Sequence, residues 1–311
     1  MVAKLPLPMH DSIELIENVV EERVQFSDFF KLIKEDWIGQ ILNYQENNGD
    51  PSKISPLELV SYITEKRIRE ETLNEARPRE SDDPLTRLIS RRHNSLRRLY
   101  KPDGDKDLFH ILEKLRNKHR LNYCPCCGSP GKPTTLDHYL PQSVFPELSI
   151  VFENLTPMCS KCNELKDDKI YDENGNRGFI HPYYDPIAEV RFQLIIGEPF
   201  CAPSSFELRV PHDVEEPFRS VILSHLKEID FINRFEEFCI EEYTDLLFTL
   251  AEEKEDEDRE SIEKIILNFY NKGKRRSENK WVAIFYRGIL DNAELLDYFE
   301  NEDLSSYLEE A

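Results

Sequence analysis

Apolar residues at helical spacing dominate the first 120 positions and predict an N-terminal helical region. They recur every three or four positions over residues 11–46, which predicts helix throughout that span. A second helix is predicted over residues 55–75, because Pro56 would occupy its first turn. Two further helices, over residues 84–100 and 107–119, are predicted before a cysteine-rich segment begins, and no strand is predicted ahead of that segment.

Beyond the cysteine-rich segment the pattern changes twice. Residues 190–196 and 206–210 have strand composition on either side of a loop with glycine and prolines, and they predict a hairpin. From about residue 215 the pattern is helical again. The sequence therefore predicts a mainly α protein with a small embedded α+β module, in three regions that cover residues 1–120, 121–175 and 176–311.

Composition places this chain among globular proteins. Its 311 residues are 39% hydrophobic and 11% aromatic, enough for a substantial core. It contains no run of about 18 apolar residues, so no membrane span is expected. The first residues turn acidic too early for a secretory signal, and seven cysteines at mostly metal-binding spacing suit a reducing compartment. We therefore expect a cytoplasmic protein.

Charge is segregated along the chain. The formal net charge is −21, yet residues 84–120 hold eleven Lys/Arg against four Asp/Glu, and residues 213–263 hold eighteen Asp/Glu against five Lys/Arg. The basic stretch opposes the overall sign, so it is the best candidate for contact with nucleic acid. The alternatives are a solvated helix face and a contact with the acidic C-terminal region. A second basic group, residues 272–276, lies between predicted helices.

Two Cys-x-x-Cys pairs frame the central segment. Cys124 with Cys127 and Cys159 with Cys162 can supply four thiolates at one point, the shell that a structural Zn²⁺ prefers. Free core cysteines or a redox pair are the alternative. Cys126 lies inside the first pair and could compete for the metal. The other two, Cys201 and Cys239, are predicted to be ordinary thiols.

Between and after these pairs lie residues with hydrolytic potential. An Asp-His step, Asp137-His138, offers an oxygen ligand for a hard cation beside a base that titrates near neutral pH. Asn154 precedes the second pair, Asn163 follows it directly, and two lysines come one and two helical turns later, at Lys166 and Lys169. The order Cys-x-x-Cys, Asp-His-x-x-Pro, Asn-Leu, Cys-x-x-Cys-Asn-x-x-Lys resembles the HNH endonuclease family.

The resemblance implies a ββα-metal core, with a two-stranded hairpin and a helix around one catalytic divalent ion. His138 would be the general base against a phosphodiester of DNA, and Asp137 and Asn163 would be the metal ligands. Asn154 would hold the loop and orient the base. The family's eponymous pattern ends in His where this chain has Asn163, and an amide oxygen favours Mg²⁺, with Mn²⁺ as the alternative. Nucleic acid would meet six basic residues: Arg91, Arg92, Arg97, Arg98, Lys166 and Lys169.

Two other functions stay open at this point. The chain could be a zinc-bearing DNA-binding or adaptor protein without turnover. It could also be an effector subunit that acts only with a partner, such as an ATPase in anti-phage defence or restriction. Downstream of the cysteines, His181 and Asp185 could touch metal or substrate, but a hydrogen-bonded histidine within an aromatic plug is favoured. His119 is interpreted as structural.

Overall fold

The computed structural model describes residues 2–73, 83–104, 106–256 and 258–309, and this part of the chain is mainly helical. Its α-helices are α1 Ser12–Glu22, α2 Ser27–Glu46, α3 Glu65–Leu73, α4 Pro84–Arg97, α5 Asp107–Asn117, α6 Ser160–Lys166, α7 Phe218–Glu228, α8 Phe231–Lys254, α9 Ile262–Gly273, α10 Trp281–Leu290, α11 Ala293–Asn301 and α12 Ser306–Glu309. Its strands are β1 Thr135–His138, β2 Leu155–Met158, β3 Gln193–Ile196 and β4 Phe206–Arg209.

The helix predicted over residues 11–46 is in fact two helices. Helix α1 ends at Glu22 and α2 begins at Ser27. Phe26 lies between them in the left-handed region, with φ 59°, which no helical residue adopts. The chain therefore turns there, and the apolar faces of both helices pack into the core.

The second helix begins later than predicted. A 3₁₀ turn covers Leu59–Tyr62, and α3 begins only at Glu65. The preceding backbone is bonded elsewhere: Gln40 Nε2 donates to Ser55 O at 2.6 Å, and Leu57 N donates to Glu147 Oε1 at 3.1 Å. These tertiary hydrogen bonds replace helical ones. The predicted end of this helix near residue 75 lies outside the described residues. So does the loop that Arg77-Pro78 predicts, since the residue before a proline disfavours helix.

Helices α4 and α5 match their predictions. The Asp83 carboxylate caps α4 by accepting from Thr86 N at 2.9 Å and Leu85 N at 3.3 Å, and Pro84 occupies the first turn. Helix α5 ends at Asn117, close to the predicted limit.

A small antiparallel hairpin and one helix form the centre of the molecule. In β1 and β2 Thr135 pairs with Met158, and His138 pairs with Leu155. Helix α6 follows β2 after one residue, Cys159. Strands β3 and β4 form the second predicted hairpin, which is also antiparallel.

The central region is packed from both sides. From the N-terminal region, Trp37 Nε1 donates to Glu147 O at 2.6 Å. From the C-terminal region, Trp281 N donates to Gly128 O at 3.1 Å. Gly128 has φ 86°, and a Cβ there would lie 2.6 Å from Asn279 O, so the close approach requires glycine. One hydrophobic cluster runs through all three predicted regions. No described helix is long and apolar enough to cross a bilayer.

Candidate functional site

Four cysteines converge at the base of the hairpin. The sulfur atoms of Cys124, Cys127, Cys159 and Cys162 all lie within 4.8 Å of one another. Backbone amides orient the sulfurs: Cys159 N donates to Cys124 Sγ at 3.3 Å, and Cys162 N donates to Cys159 Sγ at 3.5 Å. Hydrogen bonds from the thiols of Cys124 and Cys162 lower the pKa of Cys127 to about 7, against opposing contributions from Cys159 and from burial. Four clustered sulfurs fit a tetrahedral zinc site, as the spacing predicted.

Cys126 does not join this cluster. It is fully buried with its Sγ 3.9 Å from His225 Nε2, and its backbone oxygen accepts from the same ring nitrogen at 3.0 Å. The ambiguity in the first Cys-x-x-Cys pair is thereby resolved in favour of Cys124 and Cys127. Cys201 is exposed and Cys239 is buried in α8, both outside the cluster.

One arginine of the C-terminal region, Arg234 of α8, contacts three of the four sulfurs. Its guanidinium donates to Cys162 Sγ at 3.4 Å, to Cys127 Sγ at 3.6 Å and to Cys159 Sγ at 3.9 Å. A cation beside clustered thiolates offsets the charge that zinc leaves unbalanced. Sequence reasoning missed this residue. The one feature that sets it apart in the sequence is its positive charge within the strongly acidic α8.

His138 ends β1 in a closed environment. Its Nε2 lies 2.9 Å from Ser149 O, and Tyr100 packs against its ring with centroids 4.5 Å apart. A carbonyl only accepts hydrogen bonds, so Nε2 carries the proton and the neutral ring presents Nδ1 as its acceptor. Burial lowers the pKa of His138 to about 4, with a smaller contribution from the nearby cations of Lys166 and Arg97.

Asp137 and Lys166 form a buried ion pair next to this histidine. Lys166 Nζ lies 3.2 Å from Asp137 Oδ2 and donates to His138 O at 2.7 Å. Lys166 is 1% exposed. Burial raises the pKa of Asp137, while the lysine opposes that shift. Lys166 therefore holds the Asp-His step from inside, and it cannot present its charge to a DNA backbone as predicted.

Asn163 lies on the same face of α6, one turn before Lys166. Its Nδ2 donates to Thr135 Oγ1 at 3.0 Å, and that hydroxyl in turn donates to Met158 O at 2.7 Å. This relay fixes the amide orientation and leaves Asn163 Oδ1 available as a ligand atom. Thr135 and Asp137 share one face of β1, so strand and helix meet through two side-chain pairs, Thr135–Asn163 and Asp137–Lys166.

Asn154 closes the loop between the two strands. Its amide is fully buried, donates to Leu140 O at 2.9 Å and Leu148 O at 3.2 Å, and accepts from Leu140 N at 2.7 Å. The loop that it closes carries Ser149, whose carbonyl holds His138. These contacts support the loop-holding role implied for Asn154.

His119 and His181, two histidines that the sequence singled out besides His138, are hydrogen-bonded within the protein. His181 is fully buried, with Tyr44 Oη 2.9 Å from its Nε2 and its Nδ1 accepting from Tyr183 N at 3.2 Å. Asp185 accepts from both the Arg177 guanidinium and His181 N. His119 Nε2 lies 3.1 Å from Pro133 O. Each matches the structural interpretation made from the sequence.

The four arginines predicted to contact nucleic acid, in α4 and directly after it, fall into three kinds. Arg91 is exposed but paired with Glu71 at 2.7 Å. Arg92 is buried, with its guanidinium 4.5 Å from the Phe26 ring and 4.9 Å from the Phe29 ring, so it is removed from the predicted DNA contacts. Arg97 and Arg98 are exposed, and neither forms an ion pair within the described residues.

Lys169 remains at the surface but is paired with Glu228 at 2.7 Å. Glu71, which also pairs with Arg87, lies in the N-terminal region. Within the described residues, the ion-paired arginines of α4 therefore have their partner in the N-terminal region and not in the acidic C-terminal region.

The central segment matches a known family. A family model described as HNH endonuclease matches residues 124–169, which hold the four sulfurs, the Asp-His step and both asparagines. Residues 124–169 form an HNH endonuclease domain. It occupies a minor part of the chain, and the flanking helical regions lie outside the match.

The chain also resembles a curated phage protein. It is 30% identical over 117 residues to "Protein ea31" of Escherichia phage lambda, a match that covers 36% of this chain and 39% of the phage protein. The chain thus spans about two fifths of that relative, whose printed name gives no activity. No solved structure matches the chain.

Several residues around the HNH domain were not singled out from the sequence. Tyr100 packs on His138, and Asp168 is an exposed carboxylate whose charge acts on both Asp137 and His138. Asp168 lies between Lys166 and Lys169, and the motif drew attention only to the two lysines. Tyr100 had no motif signal, because its contact is made across the fold.

Proposed function

We propose that the chain is a metal-dependent endonuclease that hydrolyses phosphodiester bonds of DNA, with His138 as the general base. One observation carries this proposal. The ring of His138 donates from Nε2 to Ser149 O, so Nδ1 is the nitrogen that can take a proton from water. The match of this segment to the HNH family supports the same assignment.

The surroundings of His138 keep it in the form that a base requires. Burial holds the imidazole neutral at pH 7, because its pKa is lowered to about 4. Tyr100 fixes the ring plane from one side and is itself anchored by donating to Leu136 O at 2.7 Å. Asn154 and Ser149 fix the loop that supports Nε2. The chain thus pre-sets both the tautomer and the orientation of the base.

Asp137 and Asn163 would hold one Mg²⁺, with Mn²⁺ as the alternative ion. Asp137 Oδ2 lies 3.2 Å from Lys166 Nζ, so the ion would share this carboxylate with the lysine. The contact with Thr135 leaves Asn163 Oδ1 for ligation. Two protein oxygens suffice for Mg²⁺, which keeps several waters. When bound, the ion would supply charge stabilisation at the phosphoryl oxygens and at the leaving oxygen. The four-cysteine cluster would hold zinc as a structural clamp.

Cleavage of supercoiled plasmid tests the proposal. We expect Mg²⁺-dependent nicking by the wild type and at least about a hundredfold loss in His138→Ala, the usual contribution of a general base. Asn163→Ala should raise the Mg²⁺ concentration needed for half-maximal nicking. His212→Ala is the matched control, because His212 is an exposed histidine outside the HNH domain.

Zinc content and the thermal midpoint of each variant should first be shown to equal those of the wild type. Nicking by His138→Ala at the wild-type rate would exclude His138 as the base. A wild type that binds DNA but never nicks it, with Mg²⁺ or Mn²⁺, would favour a DNA-binding protein without turnover.

A further inference from the structure

Two basic segments far apart in the sequence meet at the end of α5. Lys132 Nζ donates to Asn117 O at 2.7 Å, and the Arg276 guanidinium donates to Arg120 O. Asn117 is the last residue of α5, and Arg120 lies three residues beyond it. Five exposed basic residues are thereby collected on one surface, which we name the α5-end cluster: Lys118, Arg120, Lys132, Arg275 and Arg276.

The charge of this cluster is not compensated. Within the described residues none of its five members forms an ion pair, although the chain has 61 acidic residues against 40 basic ones. Two acidic residues close to the cluster in sequence pair with other residues: Glu113 lies 4.0 Å from Arg116, and Glu278 lies 3.2 Å from Arg287. Concentrated positive charge in an acidic protein indicates a site for a polyanion.

The loop that carries the C-terminal members is held in an uncommon conformation. Arg276 has φ 79°, in the left-handed region that side-chain-bearing residues rarely adopt. The contact with Arg120 O holds the Arg276 side chain against the turn. Lys280, in the same loop, lies 5.3 Å from the Tyr123 ring, so the loop is fastened to the start of the HNH domain at a second point.

The cluster is connected to the base by a short series of contacts. Arg116 lies two residues before Lys118, and its guanidinium is 5.3 Å from the Tyr100 ring. The same Tyr100 ring packs against His138, with ring centroids 4.5 Å apart. Lys132 lies six residues before His138 along an extended segment, a span of at most roughly 20 Å. That distance corresponds to about six base pairs of duplex.

We propose that the α5-end cluster binds the phosphate backbone of double-stranded DNA beside the cleavage position. The proposal rests on the nuclease function proposed above and adds the C-terminal region to the DNA-binding surface. Of the arginines predicted earlier, Arg91 is paired with Glu71 and Arg92 is buried. Arg97 and Arg98 stay exposed, and the cluster would act together with them.

The test is a triple variant, Lys118→Gln, Arg120→Gln and Arg275→Gln, whose altered side chains make no hydrogen bond or ion pair within the described residues. The matched control is Arg209→Gln, Lys227→Gln and Lys264→Gln. It removes the same charge from exposed residues that are paired with Glu207, Glu173 and Glu260. Binding of a labelled 30-base-pair duplex is measured in Mg²⁺-free buffer at several salt concentrations.

We expect the slope of log affinity against log salt to fall by about 2.7 in the triple variant, about 0.9 for each lost phosphate contact, with the control unchanged. Binding near 0.1 M salt should weaken on the order of a hundredfold. A wild-type slope in the triple variant would overturn the proposal, and an acidic protein would then be the better candidate partner. Absence of DNA binding by the wild type would also overturn it.

Plasmid nicking by the wild type separates this proposal from the nuclease function. Nicking together with an unchanged slope in the triple variant would leave the nuclease standing and reject the cluster. A flattened slope without nicking by the wild type would retain the cluster as a DNA-binding surface and reject the nuclease.

Discussion

Glu147 is an acidic side chain in a buried environment that disfavours its charged form. It is fully buried, its Oε1 accepts from Leu57 N and Gln40 Nε2, and its Oε2 has no hydrogen-bond partner within the described residues. Burial raises its pKa to about 7. A carboxyl whose pKa is higher in the folded than in the unfolded state stabilises the fold at low pH, and this contribution is lost as pH rises through the folded pKa.

Stability should therefore fall between about pH 5 and pH 8, and Glu147→Gln should remove that decline. The expected gain of the variant over the wild type at pH 8 is roughly 1–3 kcal/mol, with little difference at pH 5. Urea unfolding at both pH values measures it. Glu113→Gln, at a half-exposed position, serves as the control. Equal pH profiles for wild type and Glu147→Gln would show that this carboxyl does not titrate as described.

At the residue scale, the sequence predicted which residues form the candidate sites better than it predicted which side chains are buried. Metal-ligating spacing is local, so the four cysteines were predicted correctly, and the Asp-His step was found for the same reason. The burial of Arg92 and Lys166 was not predictable, because it depends on partners from other elements, the rings of Phe26 and Phe29 in one case and Asp137 in the other.

At the element scale, α8 and the four-cysteine cluster depend on one another through Arg234. Purified protein should carry about one zinc per chain. Arg234→Leu should weaken zinc binding by roughly 10–100-fold, the usual effect of losing a group that supports metal ligands. Competition with a chromophoric chelator measures this affinity.

Arg234→Lys keeps the charge but removes the planar set of donors that reaches three sulfurs, so we expect an intermediate affinity. Unchanged zinc affinity in Arg234→Leu would mean that the arginine serves only the packing of α8, where its guanidinium lies 5.6 Å from the Trp281 ring.

Hydrophobic periodicity predicted most helices and the β3–β4 hairpin, because both patterns are local. It missed the turn at Phe26, since apolar residues continue across it at compatible spacing. It also placed a helix over residues 55–64, where Gln40 and Glu147 take the backbone hydrogen bonds instead. These two bonds join residues 15 and 90 positions apart, and contacts of that range leave no trace in a pattern that repeats every three or four residues.

At the scale of the whole molecule, the HNH domain is continuous with its flanking regions. Ser12 Oγ donates to Glu153 Oε2 at 2.7 Å and accepts from Phe152 N, and Trp281 N reaches Gly128 O. Apolar residues of the domain lie in the same core as α1, α2 and α10. The region of residues 121–175 that the motifs delimit therefore shares its hydrophobic core with the flanking regions.

We expect a fragment of residues 121–175 to remain unfolded or aggregated even with zinc, because it would expose the apolar side chains that the flanking helices cover. The full chain should unfold in one transition, and removal of zinc should lower its midpoint. Dispersed amide NMR signals from the zinc-loaded fragment would contradict this.

The expected partner ATPase and role in anti-phage defence stay predictions.

The backbone carbonyl of Ser149 accepts the hydrogen bond from His138. The side chain of the same residue is bound to another element, because Ser149 Oγ donates to Leu96 O in the last turn of α4 at 3.0 Å. The smallest transplantable unit that keeps the surroundings of His138 is consequently larger than the HNH motif. A designer who moved only the hairpin and α6 to a new scaffold would carry His138 without the support that sets its tautomer. A working graft has to include the end of α4 together with Tyr100.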